Sequence, residues 1–386
     1  MAKSAYVGVD GIARKVKKMY VGVDSKAQKV KKAYIGVGGV ARIWFSSDLV
    51  NYLGSVSRLD NTATGSPSAA STGDYALFAG LGPKYKTAVE ALSKSFVHST
   101  APDLKKARNM IGSGSIGDYA VFAGGWNSSS NYASEYDRTE VDAYSSTLVK
   151  KTAGFLSTKR AYASSANVGN YLLFGNGNCD YEDVLVDTYS SSLVHGTASA
   201  LTCSESYKTN ARGASTTSYA LFGGGGRGSI YTNLVDAYSS SLVKSSAPSL
   251  SVAREPYGAS VGEFGLFIGG KSSNGDENVV DAYSNDLVTF TATPLSVNNP
   301  LIRNPARAGK YLIIPLYDTV SPYNCMAVDV YSDSLVKISA PILPNRLGCH
   351  GVTLGNLALF FGGYSGDTTN GSTANQEIYA YSTENT

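Results

Sequence analysis

Residues 219–243 read YALFGGGGRGSIYTNLVDAYSSSLV, and this stretch decides the fold because most of the chain repeats it. Two apolar segments, residues 219–222 and 235–238, flank a glycine run and a polar loop. Short apolar segments rich in aromatic and β-branched residues, separated by glycine and polar clusters, are typical of β-strands joined by turns. We therefore predict that the chain is built from many copies of one small β unit.

The first apolar segment recurs seven times, at intervals of 44 to 52 residues. Its copies are residues 74–80, 118–125, 170–175, 218–224, 263–270, 310–315 and 356–363. The second segment follows each of them, at residues 89–92, 141–144, 186–189, 235–238, 280–283, 328–331 and 378–381. A repeat of about 40–50 residues with four strand-like pieces is typical of a propeller blade. The sequence thus predicts an all-β fold with a seven-bladed β-propeller.

The seventh copy is incomplete, because the sequence stops just after residues 378–381, where an outer strand is expected. The Ser-x-x-Leu-Val motif that should follow occurs near the start instead, within Ser46-Ser47-Asp48-Leu49-Val50. We predict that residues 46–58 supply the outer strand of the last blade, which closes the ring and removes an open sheet edge. The propeller is accordingly assigned to residues 46–386 and a separate module to residues 1–45.

The first 45 residues carry a different repeat, in which tyrosines recur with a period of 14 residues. Dipeptides such as Asp10-Gly11 suit two-residue hairpin turns, so each copy is predicted to be a short β-hairpin. Three such hairpins bury too little surface to be stable alone, and we expect them to pair with other chains or dock on a partner. The predicted attachment residues are three tyrosines and two lysines of this module: Tyr6, Tyr20, Tyr34, Lys17 and Lys31.

Charge is distributed unevenly between the two parts. Residues 1–45 hold ten Lys/Arg against two Asp, whereas the remainder holds 23 basic and 28 acidic residues. The basic module has two interpretations, a nucleic-acid footprint or a strand surface that faces solvent or a protein partner. We favour the second, because the hairpin sets the lysine spacing. The sequence predicts no secretion signal and no membrane-spanning segment.

The body resembles kelch-like β-propellers over residues 46–386, with a Gly-Gly strand, a Tyr strand and a later Arg, as at residues 223–224, Tyr238 and Arg254. It lacks the outer-strand Trp of ordinary kelch units. The wording of residues 219–243, together with the hairpin sequence at residues 36–42, is similar to structural proteins of phages and prophages of Gram-positive bacteria. That resemblance implies a virion protein assembled in the bacterial cytoplasm. It also implies that the head attaches to other virion proteins and that the propeller faces outward; we expect the protein to be a homo-oligomer.

The sequence contains no grouping that predicts catalysis, a metal or a cofactor. His98 and His195 share a repeat position that holds Lys150, Lys244, Thr289 or Lys337 in other blades, which indicates a surface position rather than a ligand. The recurring Asp and Arg are expected to pair between blades or to satisfy turn amides. The four cysteines show no metal-binding spacing and are expected to be free and buried.

The loops between the two apolar segments are where the copies differ. They combine Tyr, Trp and Arg with Ser, Gly and Asn, a composition common in binding loops. We predict that they bind a host-surface glycan or protein, with these candidate residues: Trp126, Tyr132, Tyr136, Arg138, Tyr181, Arg227, Tyr231 and Tyr364. The alternatives are a carbohydrate-active or oxidase-type propeller enzyme, or an intracellular kelch-type adaptor.

Overall fold

The structure is a computed structural model of the 386-residue chain. It describes the chain outside residues 1–5, 10–11, 16–18, 24–25, 31, 38–39, 47–49, 64–66, 83–85, 128–138, 178–183, 203–209, 299, 319–323, 345–348, 366–372 and 384–386. For the strands before residue 47, and for residues 227, 364–365 and 373–374, it describes the backbone alone. All regular elements in these parts are β-strands, and none of the described residues form a helix long and apolar enough to cross a membrane.

Seven four-stranded antiparallel sheets form the predicted seven-bladed propeller. Within each blade the first strand lies nearest the axis and the fourth lies outermost. In that order the strands of blade 1 are Ser68–Ser71, Tyr75–Ala79, Val89–Ser93 and His98–Ala101; of blade 2, Gly112–Ile116, Tyr119–Ala123, Val141–Ser145 and Lys150–Thr152; of blade 3, Ser164–Val168, Tyr171–Gly175, Val186–Ser190 and His195–Ala198; of blade 4, Arg212–Ser215, Tyr219–Gly223, Val235–Ser239 and Lys244–Ala247. Those of blade 5 are Arg254–Val261, Phe264–Ser272, Gly275–Tyr283 and Thr289–Ala292; of blade 6, Ala306–Ala308, Tyr311–Tyr317, Cys325–Ser332 and Lys337–Ser339; and of blade 7, His350–Leu354, Leu357–Phe361, Glu377–Ser382 and Asn51–Arg58.

A strand from the predicted segment closes the ring, although it begins at Asn51, and Ser46 belongs to the last strand before the propeller. Asn51–Arg58 pairs antiparallel with Glu377–Ser382, so the outer strand of blade 7 comes from the start of the propeller sequence. Side chains reinforce this pairing: the Ser55 hydroxyl donates to the Glu377 carboxylate, and the Tyr52 ring lies 5.0 Å from the Tyr381 ring. Blade 7 therefore has four paired strands like the other blades, although its strands come from opposite ends of the propeller.

The hydrophobic core lies between the blades rather than within them. Apolar side chains on both faces of the second strands are fully buried, as expected for strands sandwiched between neighbouring sheets. One core cluster, for example, joins Leu173 of blade 3 to Phe222 and Tyr238 of blade 4. Only the leading tyrosine of the Tyr-Ala-Leu-Phe segments, such as Tyr219, is half-buried.

Tyrosines of the third strands connect successive blades. The Tyr189 hydroxyl donates to the Gly154 carbonyl oxygen at 2.8 Å, and the Tyr238 hydroxyl donates to the Ser199 carbonyl oxygen at 2.7 Å. Each acceptor belongs to the segment that leaves the fourth strand of the preceding blade. Tyr283, Tyr331 and Tyr381 make the equivalent bond. Tyrosine recurs in this strand because one side chain fills the core between blades and also ties the two blades together.

The first strands crowd around the axis, which is why they are rich in small residues. A Cβ atom at Gly213 would lie 2.0 Å from the Ser165 carbonyl oxygen, and one at Gly258 would lie 2.0 Å from the Gly213 carbonyl oxygen. Serine hydroxyls link these strands, since Ser165 Oγ donates to the Ser113 carbonyl oxygen at 2.6 Å. Close approach of the backbones around the axis therefore requires glycine at such positions.

The recurring Ser-x-x-Leu-Val wording forms the turn between the third and fourth strands. In blade 4 the Leu242 amide donates to the Ser239 carbonyl oxygen at 2.8 Å, and Leu242 has a φ of 59°. A left-handed conformation costs a non-glycine residue about 1 kcal/mol or more. The Leu242 side chain packs against the core between blades 3 and 4, and this burial offsets the cost. Leucine is thus used where a turn alone would favour glycine.

The head contains the three predicted hairpins. Their strands are Tyr6–Val9 with Ile12–Lys15, Met19–Val23 with Lys26–Val30, and Lys32–Val37 with Val40–Ser46. Each hairpin is a separate two-stranded sheet in the described backbone. Two further two-stranded hairpins lie in loops of the propeller, Gly226–Arg227 with Ile230–Tyr231 and Tyr364–Ser365 with Thr373–Ala374.

Candidate functional site

One rim of the ring carries both the variable loops and the connectors between blades; we call it the loop rim. Because each first strand is antiparallel to its second strand, the start of the first strand lies beside the end of the second. In blade 2, for example, Gly112 pairs with Ala123. The loop after Ala123 and the connector before Gly112 consequently emerge on the same side. The opposite rim carries the short turns.

The structure places two of the predicted binding residues on the loop rim with their side chains described. Trp126 is half-buried and its backbone pairs with that of Asn109, with N–O distances of 3.0 and 2.8 Å. Tyr231 is half-buried in the small hairpin of blade 4, opposite Gly226. These two residues belong to different blades, 2 and 4.

The other predicted site residues are described in part or not at all. Arg227 and Tyr364 lie in small hairpins of the loop rim, and Tyr6, Tyr20 and Tyr34 lie in strands of the head, all with backbone alone. Outside the described residues lie Tyr132, Tyr136, Arg138, Tyr181, Lys17 and Lys31.

The recurring Asp and Arg form a buried group that we call the clamp. In the clamp, the carboxylate of the third strand binds residues of the connector that leads into the same blade. In blade 3, Arg160 Nη2 lies 2.8 Å from Asp187 Oδ2, and both side chains are fully buried. Asp187 Oδ1 also accepts hydrogen bonds from the Ser157 amide at 2.8 Å and from the Ser157 hydroxyl at 2.7 Å. The turn-amide part of the prediction is confirmed. The ion pair, however, joins a connector to the third strand of the blade that it enters, rather than two adjacent blades.

The same clamp recurs around the ring with small changes. Arg108 pairs with Asp142 in blade 2 and Arg254 pairs with Asp281 in blade 5, at 2.7 and 2.9 Å. In blades 4 and 6 the connector residues Thr202 and Ser296 donate to Asp236 and Asp329. The recurring carboxylates therefore hold the connectors in place.

The position of His98 and His195 belongs to this clamp and is partly exposed, so it is a surface position that also reaches a buried carboxylate. His195 Nε2 lies 2.8 Å from Asp187 Oδ1, and only 26% of its side chain is exposed. Lys150 takes the same role toward Asp142, at 2.6 Å. The strand register pairs His195 with Tyr189, two residues from Asp187, so the imidazole lies on the same face as the buried carboxylate and reaches it.

One group of side chains has the composition of a metal site, namely Asp60, Glu90 and His98. Both Glu90 oxygens already accept hydrogen bonds, from the Asp60 amide at 2.7 Å, the Asn61 amide at 2.8 Å and His98 Nε2 at 2.8 Å. Asp187 in blade 3 likewise accepts bonds from a connector amide and from the histidine of the fourth strand. The group is accordingly the clamp of blade 1, with Glu in place of Asp.

The cysteines within the described part of the chain agree with expectation. Cys325 and Cys349 are free and buried. Their Sγ atoms lie 3.5 and 3.4 Å from the carbonyl oxygens of Ala327 and Gly362. The two remaining cysteines, Cys179 and Cys203, lie outside the described residues.

The axial channel is the feature that sequence reasoning missed. Its mouth at the loop rim is a cavity of about 280 Å³, lined by residues at the starts of the first strands and the ends of the connectors. Arg212, Tyr257, Arg303 and His350, from the four consecutive blades 4 to 7, line one side of it. A second cavity of about 540 Å³ lies further along the first strands and includes Arg307.

A pattern in the repeat could have located this mouth. Strand pairing places Arg212, Tyr257 and His350 at one repeat position, where blades 1 and 3 carry Ser68 and Ser164. This is a position where the copies disagree, like the variable loops. The first strands lack a recognisable apolar pattern, however, so the copies could not be aligned there from sequence.

Compared with known proteins, the sequence matches no protein-family model and no curated protein at a significant level. The fold and the geometry of the loop rim therefore carry the functional argument.

Proposed function

We propose that this protein is a non-enzymatic binding protein of a phage-type virion. Residues 1–45 attach it to the particle, and the loop rim of the propeller binds a glycan or protein on the host surface. The particle is assembled in the bacterial cytoplasm. Within a kelch-like body, the variable loops and the channel mouth would face outward together.

The proposal is supported by a difference between two sets of polar residues, those that recur across blades and those that differ between blades. Side chains that recur across blades are held in the scaffold: Asp187 and Arg160 in a clamp, and Tyr238 in a bond between blades. Side chains that differ between blades gather at the loop rim, as Arg212 and Trp126 do. A constant scaffold with a variable polar face is typical of a recognition module.

The head supports attachment because its hairpins have unpaired edges in the described backbone. Each is a sheet of two strands, and an isolated two-stranded hairpin is marginally stable in water. Added strands from a partner would satisfy those edges. We infer that the partners are further copies of this chain and other virion proteins.

Deletion of residues 1–45 tests the attachment role. The truncated propeller should remain folded, with an unchanged β-rich circular dichroism spectrum, and should be absent from purified particles. As a matched control, the full chain carrying Arg212→Gln should be incorporated normally, because this change lies on the loop rim. Incorporation of the truncated chain at the wild-type level would refute the attachment role.

The competing assignment is a metal-dependent propeller enzyme, and the Asp60, Glu90 and His98 group is the observation that favours it. Elemental analysis of the purified full chain distinguishes the two. Stoichiometric copper or calcium that is lost in His98→Lys, the residue type of the equivalent position in blades 2, 4 and 6, would favour the enzyme. Metal-free protein with unchanged stability in this variant would favour the clamp.

A further inference from the structure

We propose that the channel mouth at the loop rim binds an anionic group, a carboxylate or a phosphate, carried on a molecule of about the size of one sugar unit. This inference rests on the proposed function, because it names the class of ligand for the displayed face. It assigns the contact to Arg212 and Arg303, with Tyr257 and His350 beside them.

The channel is lined by positive charge. Its mouth is lined by Arg212 and Arg303 and the second cavity by Arg307, while neither lining contains an Asp, a Glu or a Lys. The propeller sequence as a whole has more acidic than basic residues, 28 against 23. A cationic channel in an acidic body is therefore a local feature, and charge of one sign lining a cleft attracts ligands of the opposite sign.

The arginines of the mouth also lack the carboxylate partners that the scaffold arginines have. Arg160 and Arg254 pair with buried carboxylates at 2.8 and 2.9 Å. Among the described residues no ion pair joins Arg212 or Arg303 to a carboxylate, and Arg212 Nε is a buried donor without a hydrogen-bond partner. An unsatisfied buried donor is costly, and a guanidinium binds carboxylate or phosphate through two parallel hydrogen bonds.

His350 adds an imidazole to the lining of the mouth. Burial and the positive charge of Arg303 lower the pKa of His350 to about 4, so the ring is neutral near pH 7. Its Nδ1 atom is buried and has no hydrogen-bond partner in the described part of the chain. A neutral imidazole near the Arg303 guanidinium supplies a further polar contact without adding charge.

Two acidic residues, Glu255 and Asp276, lie near enough to Tyr257 to affect the charge of the mouth. Burial raises the pKa of Tyr257; the charges of Arg303 and Arg212 oppose this rise, and Asp276 and Glu255 add to it more weakly. Glu255 Oε1 accepts a hydrogen bond from Asn210 Nδ2 at 3.3 Å. Since the two arginines have the larger effect on Tyr257, the mouth remains attractive to an anion.

The size of the cavity limits the ligand. About 280 Å³ is at the lower end of the range for small-molecule sites, which suits one sugar-sized unit rather than a folded partner. Tyr162 and Tyr257 are among the residues that line the same mouth, and tyrosine is a residue type against which a sugar can pack. A charged sugar uses both features of the mouth.

Isothermal titration calorimetry of the purified full chain, at low ionic strength, tests the proposal with three probes. These are glucose 6-phosphate, glucuronate and glucose, which carry a phosphate, a carboxylate and no charge. We expect binding of at least one charged probe and none of glucose. Arg212→Gln and Arg303→Gln should each weaken that binding about tenfold or more, since each removes charge-assisted hydrogen bonds.

Lys310→Gln is the matched control, because it removes one positive charge from an exposed turn on the opposite rim. It should leave affinity unchanged, and all three variants should keep the wild-type melting temperature. Arg303→Lys should restore part of the affinity that Arg303→Gln loses.

Binding of one charged probe alone supports the proposal and assigns the group as phosphate or carboxylate. Equal binding of glucose, absence of binding by both charged probes, or unchanged affinity in both arginine variants overturns it. None of these three results affects the attachment role, which incorporation of the chain lacking residues 1–45 tests separately.

Discussion

The buried clamp of blade 3 allows a quantitative prediction for Asp187→Asn. Asp187 is fully buried and accepts hydrogen bonds from Arg160, His195 and two groups of Ser157. Asparagine keeps the shape but removes the negative charge that lies 2.8 Å from the fully buried Arg160 guanidinium. Breaking a buried ion pair in this way costs about 3–5 kcal/mol. At roughly 2 °C per kcal/mol for a large domain, the melting temperature should fall by about 6–10 °C.

The matched control is Asp74→Asn, which breaks an exposed ion pair. Asp74 Oδ1 lies 3.3 Å from Lys94 Nζ, with side-chain exposures of 65% and 50%. Exposed pairs contribute about 1 kcal/mol or less, so this variant should melt within about 2 °C of wild type. Both melting temperatures are measured by circular dichroism at the same pH and salt. Equal losses in the two variants would refute the role of the clamp in stabilising the ring.

Three further predictions concern the scaffold and the channel. Tyr238→Phe should cost about 1–2 kcal/mol, because it removes the bond to the preceding blade, whereas Tyr144→Phe should be neutral or stabilising, because the Tyr144 hydroxyl is buried without a partner in the described residues; similar losses in both would contradict this. Gly213→Ala should cost about 3 kcal/mol or more, because the new Cβ would lie 2.0 Å from a backbone oxygen, while Gly73→Ala, whose Cβ has 3.6 Å of space, should be tolerated in thermal melts. The folded pKa of His350, about 4, is below its unfolded value, so protons bind the unfolded chain first. Its contribution should lower the stability as pH falls from about 6.5 to about 4, by at most about 3 kcal/mol, and the loss should be absent in His350→Gln in denaturant titrations across that range; identical pH profiles would refute it.

The fold could be predicted because each blade repeats two strongly apolar strands. Seven copies with the wording of residues 219–222 gave the blade count, and the incomplete copy at residues 378–381 indicated that residues 46–58 complete it. Such inferences need only the hydrophobic pattern, which the core between blades imposes on every copy. The third-strand tyrosine was recognised as part of the repeat, although its bond to the neighbouring blade was not.

The channel mouth could not be predicted because its residues come from strands that have no apolar pattern. Close packing at the axis requires glycine at positions such as Gly213 and Gly258. A segment rich in glycine and other small residues has the composition of a loop, so these strands are not recognised from sequence. Arg303 lies just before a first strand, while Arg212 and His350 start theirs. Their convergence depends on the ring geometry, which places four blade starts around one opening.

The role of His195 shows a second limit of the sequence. Lysine in other blades at this position suggested exposure to solvent, since lysine is most often a surface residue. In the structure the histidine and lysine side chains reach the buried third-strand carboxylate. Because blade 5 carries Thr289 at the same position, the exchange of histidine and lysine did not by itself reveal a shared ionic partner.

The central claim is that the ring is displayed on a particle with its loop rim outward. Electron microscopy of purified native particles tests this claim most directly, because it shows both the presence and the orientation of the ring. We predict ring-shaped density joined to the particle through residues 1–45, with the opening lined by Arg212 and Arg303 facing away from it. Particles that lack this density, or rings whose loop rim faces the particle, would contradict the account.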